Sequence, residues 1–313
     1  MASAIQRYFL APRVPHTAGG FVDNNFVVVD LRRVRRGFGI ASSAVSPIPE
    51  GLVTPNFDLT NIHDPHTLAS LIGQTAEAAG LANKKQWSLA LPEGAARSLV
   101  VNLESKPASR KELNEIMSWK IERLIGTPAT ELFISRQKLH QDSKQERYLV
   151  AVARHAVLNE YEIVFNQLGW QVGLMLPRHM GEIQWLMMDK SPGDKMLVSA
   201  NRSGFTAVVL SHGEPVLVRN YVCEPESRTD DLHRFALYYR EKMASSSGTA
   251  PYLESVLVIG NIDLGEAQNA ISDALENRPR LVDVSEFGLD LEDAPVWFDH
   301  LAGAAGLASL AWQ

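Results

Sequence analysis

The histidines of His63-Asp64-Pro65-His66 flank a carboxylate, a combination of ligand types from which zinc sites are built. No third ligand follows nearby. Asp before Pro is also a helix start, with Asp as N-cap and Pro in the first helical position, so the segment reads as a loop closing onto a helix. Cys223, the single cysteine, has no identifiable histidine partner and lies in the apolar run Val216 to Cys223; it reads as a buried strand thiol. The G-x-S-x-G nucleophile motif is absent. His155 follows Arg154 at a helix start and reads as a cap or surface residue, and Glu112, Glu115 and Glu122 occupy the solvated side of a helix rather than forming an acid/base pair. Arg32, Arg33, Arg35 and Arg36 form one basic cluster. It reads as a solvated hairpin turn and is the patch to test against anionic lipid if the protein sits near a membrane.

The bulk properties narrow the class. Net charge is −6, which gives no general pull toward nucleic acid or anionic lipid. A 45% hydrophobic and 21% charged composition is that of an ordinary folded domain, and 313 residues suffice for two lobes or one large α/β unit. No run approaches the roughly 20 apolar residues that span a bilayer, and MASAIQRYFLAPRVPH lacks the pattern of a secretory leader. With one cysteine, the expectation is a reduced, cytoplasmic chain that meets a membrane only peripherally or through a partner. The weakly amphipathic Ile5 to Leu10 is expected to be a loose or docked terminus, and LAGAAGLASLAW near the end is expected to be a core helix.

Strands and helices must alternate to position these residues. Phe26 to Leu31 and Phe38 to Val45 read as strands joined by the arginine turn; a helix runs from Asp64-Pro65 to Gly80; Gln86 to Leu91 is the next strand. A strand over Leu99 to Leu103 leads into a helix opened by Ser109 and Glu112 at capping-box spacing, with Leu113, Ile116, Met117, Ile121 and Leu124 on one face. Strands over Glu131 to Leu139 and Arg147 to Ala153 follow, then a helix ending at Gly169. After the turn Ser191-Pro192-Gly193-Asp194, three strands (Met196 to Ala200, Phe205 to Leu210, Pro215 to Cys223) form a meander. Thr229 caps the next helix, Leu253 to Gly260 is a strand, Asp263 with Glu266 opens another helix, and a short strand and a small-residue helix close the chain.

In this order the sequence resembles PilM of type IV pilus assembly and its relatives FtsA and the cytoplasmic part of GspL. The resemblance spans nearly the whole chain and is carried by ALPEGAARSLVVNLE from Ala90, ELNEIMSWKIERLIGTPATELFISRQKL, and YLVAVARHAVLNEYEIVFNQLGWQVGLML from Tyr148. PIPEGLV from Pro47, MLVSANRSGFTAVVLSHGEPVLVRNY and SVLVIGN extend it. It implies a two-lobed actin-like α/β fold with an inserted small α+β subdomain. Residues 1–94 and 169–193 would form the first lobe, 95–168 the insert, and 194–313 a reduced second lobe.

The resemblance also locates a nucleotide pocket and its defects. Where ATP-binding members carry a D-I-G-S-S turn, this chain has Asp23-Asn24-Asn25 after Phe21-Val22, without the glycine that admits phosphate to the backbone. Where a second D-I-G is expected it has Ser199-Ala200-Asn201, followed by Arg202, Ser203 and Gly204, so the Mg²⁺ carboxylate is replaced by a hydroxyl. The paired glycines of the adenosine site read Gly260-Asn261, followed by Ile262. No cofactor and no enzyme activity are therefore expected, with nucleotide binding (ATP with Mg²⁺) without hydrolysis left open.

The implied function is a non-catalytic scaffold on the cytoplasmic face of the inner membrane, binding the N-terminal cytoplasmic tail of a PilN-like single-span protein. That tail would lie in a groove between the first lobe and the insert, expected at the strand Leu99, Val100, Val101, Asn102 and Leu103. Nucleic acid is not an expected partner, and self-association is allowed. The rival readings are a GspL-like secretion scaffold, an actin-like ATPase or sugar-kinase relative, and a filament former of the cell-division type.

Overall fold

The computed structural model describes residues 14–35, 37–104, 106–139, 146–189, 191–247, 250–283, 286, 288–291 and 296–312. Arg36 and the stretch Ile5 to Leu10 lie outside the described residues.

Three sheets organise the chain. In the first, β1 (Thr17–Val22), β2 (Asn25–Val34) and β3 (Gly37–Pro47) form an antiparallel meander, and β4 (Gln86–Leu91) and β8 (Gln171–Pro177) extend it in parallel beyond β1. The order is β14-β3-β2-β1-β4-β8, with the short β14 (Leu289–Asp290) on β3. β2 is apolar on both faces because both are covered. Phe26 and Val28 face helices α1 (Pro65–Ala78) and α3 (His155–Gln167), while Val27, Val29 and Leu31 face α4 (Arg178–Met188) and α7 (Phe298–Ser309).

The second sheet, β11-β10-β9-β12-β13, contains the meander β9 (Asp194–Asn201), β10 (Gly204–Ser211) and β11 (Glu214–Val222). The parallel strands β12 (Leu253–Ile259) and β13 (Arg280–Leu281) complete it. Its outer face packs on α5 (Arg228–Ser247) and α6 (Leu264–Leu275) through Phe235, Tyr239, Ala267 and Ile271. Its inner face, with Leu197, Val208 and Leu257, joins the same core as α4, α7 and the first sheet. The helices α4 and α7 are thus sandwiched between two sheets. They pack backbone to backbone: a Cβ on Gly181 would stand 2.0 Å from the Gly303 carbonyl oxygen, so no larger residue fits without moving a helix.

The third sheet is β5 (Arg97–Leu103), β7 (Glu146–Arg154) and β6 (Leu132–Lys138), antiparallel in the order β5-β7-β6, covered by α2 (Arg110–Ile125). Ser109 caps α2 by accepting the Glu112 amide (3.1 Å), and the Glu112 carboxylate accepts the Ala108 amide in return. Met117 and Ile121 meet Val101, Leu103 and Val150 in its core; Leu124, placed on that face from spacing, is exposed.

The lobe boundaries differ from the sequence division in two places. Helix α3, assigned to the insert, belongs to the first lobe. Its Tyr161, Val164 and Phe165 pack with Ile72, Trp87 and Trp170, and Glu160 accepts the Asn61 and Ile62 amides at 2.7 and 2.8 Å. The C-terminal region, assigned to the second lobe, returns to the first: β14 pairs with Phe38 and Gly39, and α7 lies against β1, β2 and β4. The first strand, β1, was implied only by the hairpin turn that the resemblance places at Asp23-Asn24-Asn25, and its pairing with β2 runs from Thr17 to Val22. The arginines read as a turn are partly strand, since Arg33 pairs with Phe38 and its guanidinium lies 4.7 Å from that ring. Arg32, Arg33 and Arg35 are exposed.

Candidate functional site

Two places combine polar groups or open space with strand ends. The first is where the β1–β2 hairpin tip meets the β9–β10 tip. Asp23 accepts the Arg202 amide at 2.8 Å, and Asn201 turns its own side chain to the Ser203 amide at 2.8 Å. Asn24 uses its carbonyl to hold Ile48 (2.7 Å), and Asn25 opens β2. Behind the second tip the buried Arg228 guanidinium donates to three carbonyls: Asn201 and Asn261 at 2.6 Å each, and Arg202 at 3.2 Å. Its Nε and the Ser199 hydroxyl are buried without a partner among the described residues. Gly260 has φ +94, and a Cβ there would stand 2.3 Å from the Ala200 carbonyl, so the loop after β12 is pressed onto the end of β9. Burial pushes the Asp299 carboxyl up, against the Gly260 amide and Arg178, which favour its charge.

The side chains bracketing this cleft on the first-lobe side were not legible in the sequence. Arg178, at the start of α4, is fully buried; it pairs with Glu182 (2.5 Å) and donates to the Ala200 carbonyl (3.3 Å). Beside it Glu93 holds His179 through Nδ1 (2.8 Å) and accepts from the Thr206 hydroxyl (3.1 Å), while His179 Nε2 meets Ser98 Oγ (2.9 Å). Burial alone would raise the Glu93 carboxyl, but the His179 charge and hydrogen bond, with Arg178 and Thr206, hold it below the usual carboxylate range. Ser98, His179 and Glu93 stand in the order of a nucleophile, base and acid. The Ser98, His179 and Glu93 side chains are buried, and through Thr206 their contacts bridge strands β5 and β10.

The second place is a groove along β8, the edge of the six-stranded sheet. One cavity of about 580 Å³ lies between β8 residues Val172 to Met175, the outer face of α3 (His155, Leu158, Asn159, Glu162) and Phe133 of β6. A second of about 350 Å³ continues it past Glu162 and Gly173 to Gln171, Gln86 and Pro15. Between the two pairings Trp87 with Val172 and Ser88 with Leu174, Gly173 is an extra residue, a bulge that lifts the edge toward the groove. Phe133 is half exposed over it.

The strand expected to line the partner groove, β5, borders neither of these cavities. Val101 and Leu103 are buried in the core of the insert, and Leu99 packs at its margin. Val100 meets the β11 residue Val218 in a small cluster with Met180. Asn102 is exposed, with its carbonyl taken by Lys120 (2.9 Å). β5 lies near β11, and Arg147 of the neighbouring β7 donates to the Pro215 carbonyl. Cys223 is half buried, and burial, with the neighbouring Asp231, pushes its thiol up. Asp64 caps α1 by accepting the His66 and Thr67 amides, and no group of three metal-ligating side chains occurs among the described residues. None of the helices described is long and apolar enough to cross a membrane.

No protein-family model and no curated protein sequence matches the chain. Solved structures do. A chain of the PilM–PilN type IV pilus biogenesis complex superposes with a TM-score of 0.70, covering 96% of this chain and 98% of that one at 16% identity. A Bacteroides thetaiotaomicron protein of actin-like ATPase fold and unknown function superposes at 0.51, covering 96% of each chain at 8% identity. The fold is actin-like. The cytoplasmic domain of EpsL from the Vibrio cholerae type II secretion system matches more distantly, at 0.47 and 10% identity.

In the actin-like frame, the first sheet with α1 and α3 is one lobe and the second sheet with α5 and α6 the other. Helices α4 and α7 lie between them, and the three-stranded unit is inserted after β4. The paired hairpin tips then face each other across the interlobe cleft. The groove along β8 lies between the first lobe and the insert.

Proposed function

We propose that this chain is a non-catalytic scaffold of a type IV pilus assembly complex, docking an extended segment of a PilN-like membrane protein in the groove along β8. The observation that carries this reading is the open groove itself. A sheet edge with no strand partner among the described residues borders a cavity large enough for several side chains, at the junction of first lobe and insert. Strand addition there would satisfy the edge, and side chains entering the cavity would meet Leu158, Leu174 and Phe133. Glu162 lines both cavities, which favours a segment carrying a basic residue beside apolar ones. Support for the machine comes from the likeness to a chain of the PilM–PilN complex over nearly the full length of both. The partner would be a single-span protein presenting its cytoplasmic tail, which places this chain at the inner face of the inner membrane.

The non-catalytic half of the proposal rests on a poor fit to Mg-ATP. Asp23 is committed to the Arg202 amide, and Ser199 stands where the resemblance calls for a second carboxylate. The Ser199 hydroxyl is buried on the face of β9 that carries Leu197, and a hydroxyl is a poorer Mg²⁺ ligand than a carboxylate. The residues present therefore do not supply the oxygen ligands and glycine-lined backbone that phosphoryl transfer needs.

The test is a binding titration of synthetic tail peptides from the host's single-span pilus proteins, with Phe133→Asp as the control chain. Saturable binding that the substitution removes supports the proposal. Equal binding by both chains places the site elsewhere, and capture of a secretion-system tail instead would name the other machine.

A further inference from the structure

We infer that the interlobe cleft is held shut by the chain's own charged side chains, which take the bridging role that phosphate and metal have in nucleotide-binding relatives. This concerns the cleft alone and does not rest on the docking of a partner.

The β9–β10 hairpin is gripped at three points from the first-lobe side. At its tip, Asp23 accepts the Arg202 amide (2.8 Å). One residue before the turn, the buried Arg178 donates to the Ala200 carbonyl (3.3 Å). On β10, Thr206 donates to the buried Glu93 (3.1 Å) and itself receives the Asn220 side-chain amide (2.9 Å). The three contacts span both strands and the turn, so the hairpin cannot move away from the first lobe without breaking all of them.

Asp23 has the geometry of a residue kept for this contact. It is the first of two residues between the paired Val22 and Asn25, and its φ is +51. A positive φ at that position of a two-residue hairpin favours glycine, so an aspartate there is strained. Its carboxylate supplies what a glycine would not, a fixed anion at the second hairpin.

Charge balance points the same way. Glu182, Glu93 and Asp23 all act on the Arg178 guanidinium, and Asp299 lies near enough to be influenced by it. A polyphosphate entering this space would add negative charge where four carboxylates already surround one buried cation. Arg228, the other buried guanidinium, is committed to three carbonyls of the second lobe. The lobes are thus closed by an internal anion, and their relative position does not depend on nucleotide.

Hydrogen–deuterium exchange over residues 198–206 tests this in the full chain, with and without millimolar Mg-ATP. Asp23→Gly removes the carboxylate while relieving the turn, so it retains the fold. Thr206→Val, of similar shape, removes the second bridge. The expected result is exchange at the Arg202 amide about tenfold faster in Asp23→Gly, faster exchange along β10 in Thr206→Val, and no effect of Mg-ATP on the wild type. Slowed exchange in the wild type on adding Mg-ATP would overturn the inference, as would an Arg202 amide indifferent to Asp23→Gly. Peptide docking along β8, measured on the same variants, separates failure of the latch from failure of the scaffold reading.

Discussion

Gly306 and Gly181 meet so closely that a Cβ on Gly306 would stand 1.9 Å from the Gly181 carbonyl oxygen. The contact sits where α4 and α7 cross between the two sheets, and Trp185 ties the same helices by donating its indole N–H to the Ala302 carbonyl (2.8 Å). Gly306→Ala therefore forces the helices apart inside a core shared by both lobes. The expected cost is about 1–3 kcal/mol, at the overpacking scale, seen as a lower urea midpoint with an unchanged slope. An unchanged midpoint would mean that the helices separate freely.

Glu93 sets an acid limit on stability. Its folded-state pKa lies below the usual carboxylate value, so its contribution is complete above that value and is lost as pH falls through the lower, folded one. Glu93→Gln should cost about 1–3 kcal/mol at neutral pH, because His179 and Thr206 lose a charged acceptor. The gap between variant and wild type should shrink below the ordinary carboxylate pKa. Urea unfolding across the acid range checks this, and a gap independent of pH would count against the charged bridge.

What the sequence discloses follows from what is local. The run FVVVDL, the Asp64-Pro65 start and the Ser109–Glu112 capping pair are properties of neighbouring residues, and each was legible. Residue patterning alone does not mark β1, because TAGGFV lacks strand-forming side chains at its centre. Its glycines answer to distant residues, since a Cβ on Gly19 would strike the Phe26 ring and one on Gly20 would crowd Ala304. The Glu93–His179–Thr206 bridge joins positions far apart in the chain that only the tertiary fold brings together. The groove along β8 was not legible for a related reason. VGLMLP reads as apolar strand, and nothing in its composition says that β8 is the edge of the six-stranded sheet.

The expectation at β5 has a testable side. Val101 is 3% exposed and packs with Ile121 and Val150, so Val101→Asp buries an unpaired carboxylate. The substitution should destabilise the insert by about 4 kcal/mol or more, with protease cleavage between β5 and β7. A stable, fully folded Val101→Asp chain that loses only peptide binding would restore β5 as the docking strand.

The groove along β8 yields the complementary prediction. Phe133 is 50% exposed, so Phe133→Asp removes an apolar wall of the cavity at little cost to the fold. Glu162→Lys reverses the charge that both cavities share. Each variant should weaken tail-peptide affinity at least about tenfold, or ~1.4 kcal/mol, with unaltered thermal unfolding. The Glu162→Lys loss should diminish at high salt because it is electrostatic at an exposed site, whereas the Phe133→Asp loss should persist. Calorimetric titration at two ionic strengths distinguishes them: a salt response shared equally by both variants would mean that the peptide is held by charge alone and not by strand addition at β8.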